Sequence, residues 1–321
     1  MTSAVLEKQS PVTQSGPKPL TEGKQPIGIL IGLWTFVVVP FVALIAAVPI
    51  ASAGGELTWT YVGIGAFFYI VSGLGITVGF HRYFTHGSFK AKRGLRIALA
   101  VAGSMAIQGE PTQWVADHRR HHTFSDLEGD PHSPWRFGTS FGALLKGLWY
   151  AHMGWLFHRE LSNRARFAPD LLADKDMQRV DKLFGLIVAA SMLAPAAAGG
   201  LITWSWQGAV WAFFWAGLVR ISLLHHVTWS INSICHVVGE RPFELRNGDK
   251  AANFWPLAIL SFGESWHNLH HADPTCARHG VLRGQVDISA RTIWVFEKLG
   301  WAHDIRWPKA ERIAAKRITA A

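Results

Sequence analysis

Hydrophobic positions in this chain come in long unbroken runs, separated by polar and basic stretches. Residues 27–50 carry no charge. At ~1.5 Å per residue such a run exceeds a ~30 Å hydrocarbon core and predicts a spanning helix, kinked rather than ended by Pro40. After Gly54-Gly55-Glu56 a second uncharged run, 57–80, stops directly at His81. Residues 183–203, with Pro195 inside, predict a third span, and 208–228 a fourth. Arg220 is the only charge in the fourth, and it is expected to face protein or a cavity rather than lipid. Residues 94–107 are apolar but short, and they predict an interfacial or buried helix. The fold predicted is an all-α membrane protein. Four transmembrane helices form two hairpins, and a helical cap is drawn from 81–182 and 230–300. Residues 1–25 read as a disordered N-terminal tail with no cleaved signal peptide, 26–300 as the integral-membrane domain, and 301–321 as a basic C-terminal tail.

Charge placement adds the topology. The links 51–56 and 204–207 carry only Glu56, and every Lys and Arg except Arg220 lies in the N-terminal tail, in 81–182 or in 230–321. By the positive-inside rule those three regions are cytoplasmic, so both termini face the cytoplasm across the cell membrane. The net charge of +9 therefore suits an anionic membrane face, and no nucleic-acid motif accompanies it. The 16 Trp fit membrane interfaces. Cys235 and Cys276 form no C-x-x-C, which excludes a disulfide framework, a zinc ribbon and a Cys-ligated cluster; both are expected as reduced thiols.

The same topology puts every histidine-rich stretch on one side. His118-Arg119-Arg120-His121-His122 and His267-Asn268-Leu269-His270-His271 share the pattern H-x-x-H-H. On a helix, i, i+3 and i+4 share a face, so each block aims imidazoles at one point. His81 and His86 are five apart, ~140° around an α-helix, so the second span is expected to break near His81. With His236 the set is nine: His81, His86, His118, His121, His122, His236, His267, His270 and His271. That is more than one ion takes, and it suits two ions with open positions. Imidazole alone fits Fe, Cu, Zn or Ni; redox chemistry favours iron. Asn232, one helical turn before His236, is placed to hold a metal-bound water. Glu110, Asp117, Asp126, Asp130 and Glu264 are candidates to orient rings through their free N–H groups. His132 reads as a supporting residue, His225 and His226 as packing or tunnel lining, and His152, His158, His279 and His303 as surface or interface residues.

These blocks carry a resemblance. The run Gly75 to His86, the run Trp114 to His122, Asp130-Pro131-His132, the run Thr228 to His236 and the run Gly263 to His271 resemble the membrane-bound fatty-acyl desaturases, in their stearoyl-CoA Δ9-desaturase-like branch. The His81-Arg82 opening of the first block points to that branch. The resemblance implies a di-iron centre on the nine histidines, with Asn232 acting through water. It implies insertion of a cis double bond at the ninth carbon of a saturated long-chain acyl substrate, acyl-CoA ahead of acyl-lipid, using O2 and two electrons. Gln108, Trp114, Thr228 and Trp229 would line the tunnel bend, Tyr69 and Gly73 would close its far end, and Arg159 would meet CoA phosphate. No His-Pro-Gly-Gly haem motif follows residue 271, so electrons are expected from a separate ferredoxin or NAD(P)H-linked flavin/iron–sulfur reductase. The rival readings are a related di-iron hydroxylase and a non-catalytic membrane metal binder.

Overall fold

The computed structural model describes residues 18–54, 57–158 and 160–318. Helix α1 (Ile27–Ser52) continues through Pro40 and Pro49, and α2 (Trp59–Leu74) runs on without a break into a π-helical stretch, Gly75–Thr85. The polar region that follows holds α3 (Arg93–Ser104), α4 (Pro111–Phe124), α5 (Phe141–His152), α6 (Arg164–Phe167), α7 (Pro169–Ala173) and α8 (Lys175–Lys182). Then come α9 (Phe184–Thr203), α10 (Trp206–Ala212), a second π-helical stretch (Phe213–Val219) and α11 (Arg220–Ser233). The chain ends with α12 (His267–Ala272), α13 (Ile288–Lys298) and α14 (Ala310–Ala314). Among the described residues four stretches are long and apolar enough to cross a membrane: 27–52, 59–85, 184–203 and 206–236.

The fourth of these is longer than its hydropathy suggests, because α11 and a 3-10 turn carry it past residue 228 to His236. Arg220 is buried as expected and donates to the Ala216 and Ser191 carbonyls. Helices α9 and α10 form a close pair: a Cβ on Gly199 would lie 2.2 Å from the Ala212 Cβ. The first pair differs from the predicted hairpin. Helix α1 packs mainly on Phe213–Val219 and α11, not on α2. Its outer face exposes Ile27, Ile31, Trp34, Ile45 and Val48, a surface suited to lipid.

The second span corrects another expectation. It does not break at His81; it widens. The His86 N–H bonds the His81 carbonyl at 3.2 Å, and that of Ser88 bonds the Arg82 carbonyl at 2.8 Å. An i to i+5 turn stacks residues five apart, so the wider winding puts His81 and His86 on one side. Glycines let α3 lie directly against this stretch. A Cβ on Gly75 would sit 2.1 Å from the Gly103 backbone nitrogen. Val78, Phe80, Leu99, Ala100, Met177, Leu224 and Ile293 close the main core around it.

Residues 1–17 and 319–321 of the two expected tails lie outside the described residues, and the described parts of both are paired with the fold. Thr21–Lys24 pairs antiparallel with Glu160–Ser162, so residues 21–25 belong to the folded part. At the other end Ala302–His303 pairs with Lys90–Ala91, and the Ile318 N–H bonds the Pro242 carbonyl at 3.0 Å. Residues 301–318 are therefore folded onto the polar region. Gly75→Leu is expected to cost at least about 1–3 kcal/mol through overpacking and to lower the detergent-solubilised Tm by several degrees. Gly63→Leu, where a Cβ meets nothing within 4 Å, should leave Tm unchanged in the same melts.

Candidate metal centre

Four elements bring the nine histidines together: the end of the π-helical stretch, α4, the 3-10 turn after α11, and α12. They divide into two clusters. His81, His86, His118, His122 and His270 form one; His121, His236, His267 and His271 form the other. Within each, the ligand nitrogens all lie within 4.8 Å of one another. Each H-x-x-H-H block serves both. Its first and last histidines share one cluster while the fourth position goes to the other, and His122 stacks on His271 across the divide at 4.5 Å and 28°.

Short contacts inside the clusters decide their chemistry. His81 Nε2 lies 2.9 Å from His270 Nε2, which lies 2.9 Å from His122 Nε2, itself 3.1 Å from His118 Nε2. In the other cluster His267 Nε2 is 3.1 Å from His236 Nε2 and 3.0 Å from His271 Nε2. Four rings have Nδ1 against a carboxylate: His81 on Glu264, His121 on Asp130 at 3.0 Å, His236 on Asp126 at 2.8 Å and His271 on Asp249 at 2.8 Å. A carboxylate only accepts, so Nδ1 carries the proton and Nε2 presents a lone pair. Lone pairs then face one another with at most a few shared protons. Doubly protonated rings would set N–H against N–H instead. A cation resolves both conflicts. Imidazole nitrogens bonded to one ion at ~2.0–2.1 Å are themselves roughly 3 Å apart, which is the spacing here. The buried Nε2 atoms of His86 and His121 have no hydrogen-bond partner, as metal-facing atoms would not. The residues fit two metal ions.

Protonation agrees. Burial, and then the neighbouring rings, pull His86, His118, His122, His267, His270 and His271 well below the usual imidazole pKa. Neutral imidazole is the ligating form. Burial pushes Asp126, Asp130 and Glu264 up, but the adjacent rings, and Arg82 at Glu264, outweigh it and hold all three low. The acids therefore stay ionised as ring anchors.

Of the five acids proposed for that task, three reach a ring and two do not. Asp117 is held by Gln113 Nε2 at 3.1 Å, and burial pushes its carboxyl up to about 6. Glu110 is half-buried beside Asp181 and Arg164. Both instead line a cavity of about 850 Å³. Asp249 was not foreseen; it sits in a turn 22 residues before His271, with no local sequence signal. Arg82, fully buried, donates to Glu264 (2.9 Å), Asp287 (3.2 Å) and the Ala277 carbonyl (2.7 Å). His279 also departs from its expected surface position. It is buried against Arg82 and 4.5 Å from the His270 ring. His132 stacks on His121 at 4.3 Å, while His158 and His303 are exposed.

This one cavity joins three kinds of lining. Apolar lining comes from α1 between Gly28 and Val37, with Ile76, Val188, Leu224 and Phe262. Polar lining comes from Glu110, Gln113, Asp117, Arg120, Glu160 and Arg164. His81, His118, His267 and Asn232 also line it, with Gln108, Trp114, Thr228 and Trp229. Gln108 Nε2 donates to Thr228 Oγ1 at 2.7 Å, and Trp114 stacks on His118 at 4.9 Å. Tyr69 and Gly73 do not line it. They stand one layer back: the Tyr69 hydroxyl donates to the Leu260 carbonyl, and the Phe262 ring fills the space a Gly73 Cβ would take. Arg159 lies outside the described residues.

Comparison with known proteins assigns the class. Residues 57–283 match the profile of the family described as fatty acid desaturase. The chain belongs to the fatty acid desaturase family and is thus an oxidoreductase of lipid metabolism. It is 38% identical over 289 residues to a hex-5-enoyl-[acyl-carrier protein] acetylenase of Moorena producens (strain JHB), covering 88% of this chain and 87% of that protein. It is 37% identical to an sn-1 stearoyl-lipid 9-desaturase of Anabaena variabilis (82% and 89% covered). Against Delta-9 acyl-lipid desaturase 1 of Arabidopsis thaliana it is 36% identical (79% and 77% covered).

Asp126→Asn leaves the shape of the centre but removes the anion that fixes His236. Metal affinity should fall about 10–100-fold, read by competition with a chromophoric chelator.

Proposed function

We propose that this protein is a Δ9 acyl-lipid desaturase of the cell membrane. It would insert a cis double bond into a saturated long-chain acyl group using O2 and two electrons at a di-iron centre. The observation that carries this is a single cavity lined both by apolar residues of α1 and by His81, His118 and His267. One ion would be held by His81, His86, His118, His122 and His270, the other by His121, His236, His267, His271 and, through a water, Asn232. Zinc fits imidazole but has no redox chemistry, so iron is the natural occupant. Bound iron supplies the reduction of O2 and the removal of hydrogen from an unactivated methylene pair.

This chain's own residues supply position and dryness. The α1 wall from Gly28 to Val37 gives ~14 Å of apolar lining for the distal acyl chain. The Gln108–Thr228 bond ties the link between α3 and α4 to α11 beside the histidines, which would help present one methylene pair to them. Trp114 and the carboxylate-anchored rings keep that geometry rigid.

The polar lining favours acyl-lipid over acyl-CoA. Among the described residues of the cavity, Arg120, Arg136 and Arg164 are matched by Glu110, Asp117 and Glu160. Arg164 is already paired with Glu22 at 2.7 Å. These described residues leave no cationic surplus for a nucleotide polyphosphate. The curated relatives named as 9-desaturases act on lipids by their names. The positive-inside pattern supports a cytoplasmic location for both termini and the metal centre. Electrons would come from a separate ferredoxin or NAD(P)H-linked flavin/iron–sulfur reductase.

Expression in a desaturase-deficient host, with double bonds mapped by mass spectrometry, should yield Δ9 products. His270→Ala should abolish them. An alcohol product would mean hydroxylation instead, and a triple bond acetylenase activity. Gly73→Leu should drive Phe262, which lines the cavity, further into it and shift products toward shorter chains; unchanged chain lengths would mean that Phe262 does not bound the acyl chain.

A further inference from the structure

The metal centre has a second face. His81, His118 and His267 look into the acyl cavity. On another side a recess of about 690 Å³ reaches His122 and His271, which do not line that cavity. His122 belongs to one cluster and His271 to the other, and their rings stack at 4.5 Å. Its other lining includes Thr123, Glu244, Arg246, Ala272, Pro274 and Lys316.

Two chain segments make its rim. Ile318 bonds Pro242, Phe243 bridges Arg317, and the Glu244 N–H bonds the Lys316 carbonyl at 2.8 Å. Residues 241–246 and 312–318 are thus one surface. It carries Arg241, Arg246, Arg312, Lys316 and Arg317 against Glu244 and Glu311, with buried Asp273 pairing Arg312. Arg241, Arg246, Arg312 and Arg317 are exposed. Arg246 donates to the His122 carbonyl and Lys316 to the Ala272 carbonyl at 2.6 Å, so the basic rim is tied to the block that bears the ligands.

We propose that this recess is the electron-entry port, where a small acidic one-electron carrier protein docks and the stacked His122–His271 pair gives it access to both metal positions. The inference rests on the desaturase reading for its need of electrons. In that reaction the acyl chain gives up two hydrogens. O2 takes these with two protons and two electrons and leaves as two waters; the reduced carrier delivers the electrons in two single steps. A port here lets the carrier bind while the acyl cavity stays closed to water. Charge complementarity would steer the encounter and be screened by salt.

The test uses the full chain in detergent and a purified acidic [2Fe–2S] ferredoxin as probe. Its Kd is measured at low and raised salt, on metal-free and iron-loaded protein. Arg241→Glu with Arg317→Glu should weaken binding about tenfold at low salt and flatten the salt dependence, as lost rim charges do. Arg179→Glu, exposed on α8, should change nothing. Ferredoxin-driven turnover should fall through KM, while turnover driven by a small chemical reductant stays at the parent rate. No binding at low salt, an unchanged Kd in the double variant, or an equal effect of Arg179→Glu overturns the port. Absence of Δ9 product with every reductant defeats the desaturase reading instead, and leaves the binding result to be judged by itself.

Discussion

The structure is organised around a conflict that only a cation removes. The Nε2 atoms of buried imidazoles are held about 3 Å apart in places where water is scarce. Each ring is kept there by something stiffer than itself. Carboxylates fix the tautomer at His81, His121, His236 and His271. Two of those carboxylates, Asp126 and Asp130, come from the loop that leaves α4, and Asp126 reaches across to the end of the fourth span. Because a preformed site of this kind repels itself when empty, metal binding there would contribute directly to the stability of this part of the fold.

Arg82 ties that site to the rest of the chain. A fully buried guanidinium joins the second span to Glu264 and Asp287, which are 182 and 205 residues away. Glu264 in turn holds His81, and Asp287 caps α13 by accepting from Ala290. Such a pair is no great source of net stability, since desolvation offsets much of its Coulomb energy. Its value is registry. With Arg82 satisfied only in this arrangement, the π-helical stretch, the approach to α12 and the start of α13 have one way to meet.

Much of this was legible in the sequence, and the failures share a cause. Charge-free runs and the spacing of His118–His122 and His267–His271 are local signals, and they marked the spans and the two outer blocks. What sequence reading missed depends on partners distant in the chain. Asp249 and His279 have no local pattern, and Glu110 and Asp117 looked like ring anchors only because they stand near histidines in sequence. Helix α1 was paired with α2 because a short link joins them, yet it packs on the fourth span. Tyr69 and Gly73 lie on the expected helix but behind Phe262, which arrives from nearly 200 residues away. Residues 21–25 and 301–318 are polar enough to read as tails, but backbone pairing with Glu160–Ser162, Lys90–Ala91 and Pro242–Glu244 holds them.

The π-helical winding of Gly75–Thr85 has a consequence for how such a chain can change over evolution. A π turn is an α-helix with a residue to spare, and such turns are tolerated where a site requires them. Deleting one residue between His81 and His86 would let the helix relax to ordinary α geometry, with the two rings four apart. Every position beyond would then be rotated and pulled back relative to α3. Most spanning helices absorb a one-residue change by sliding in lipid. This one is fixed at both ends, by Gly75 on Gly103 and by Arg82 on its two acids, so its length is as constrained as any of its side chains.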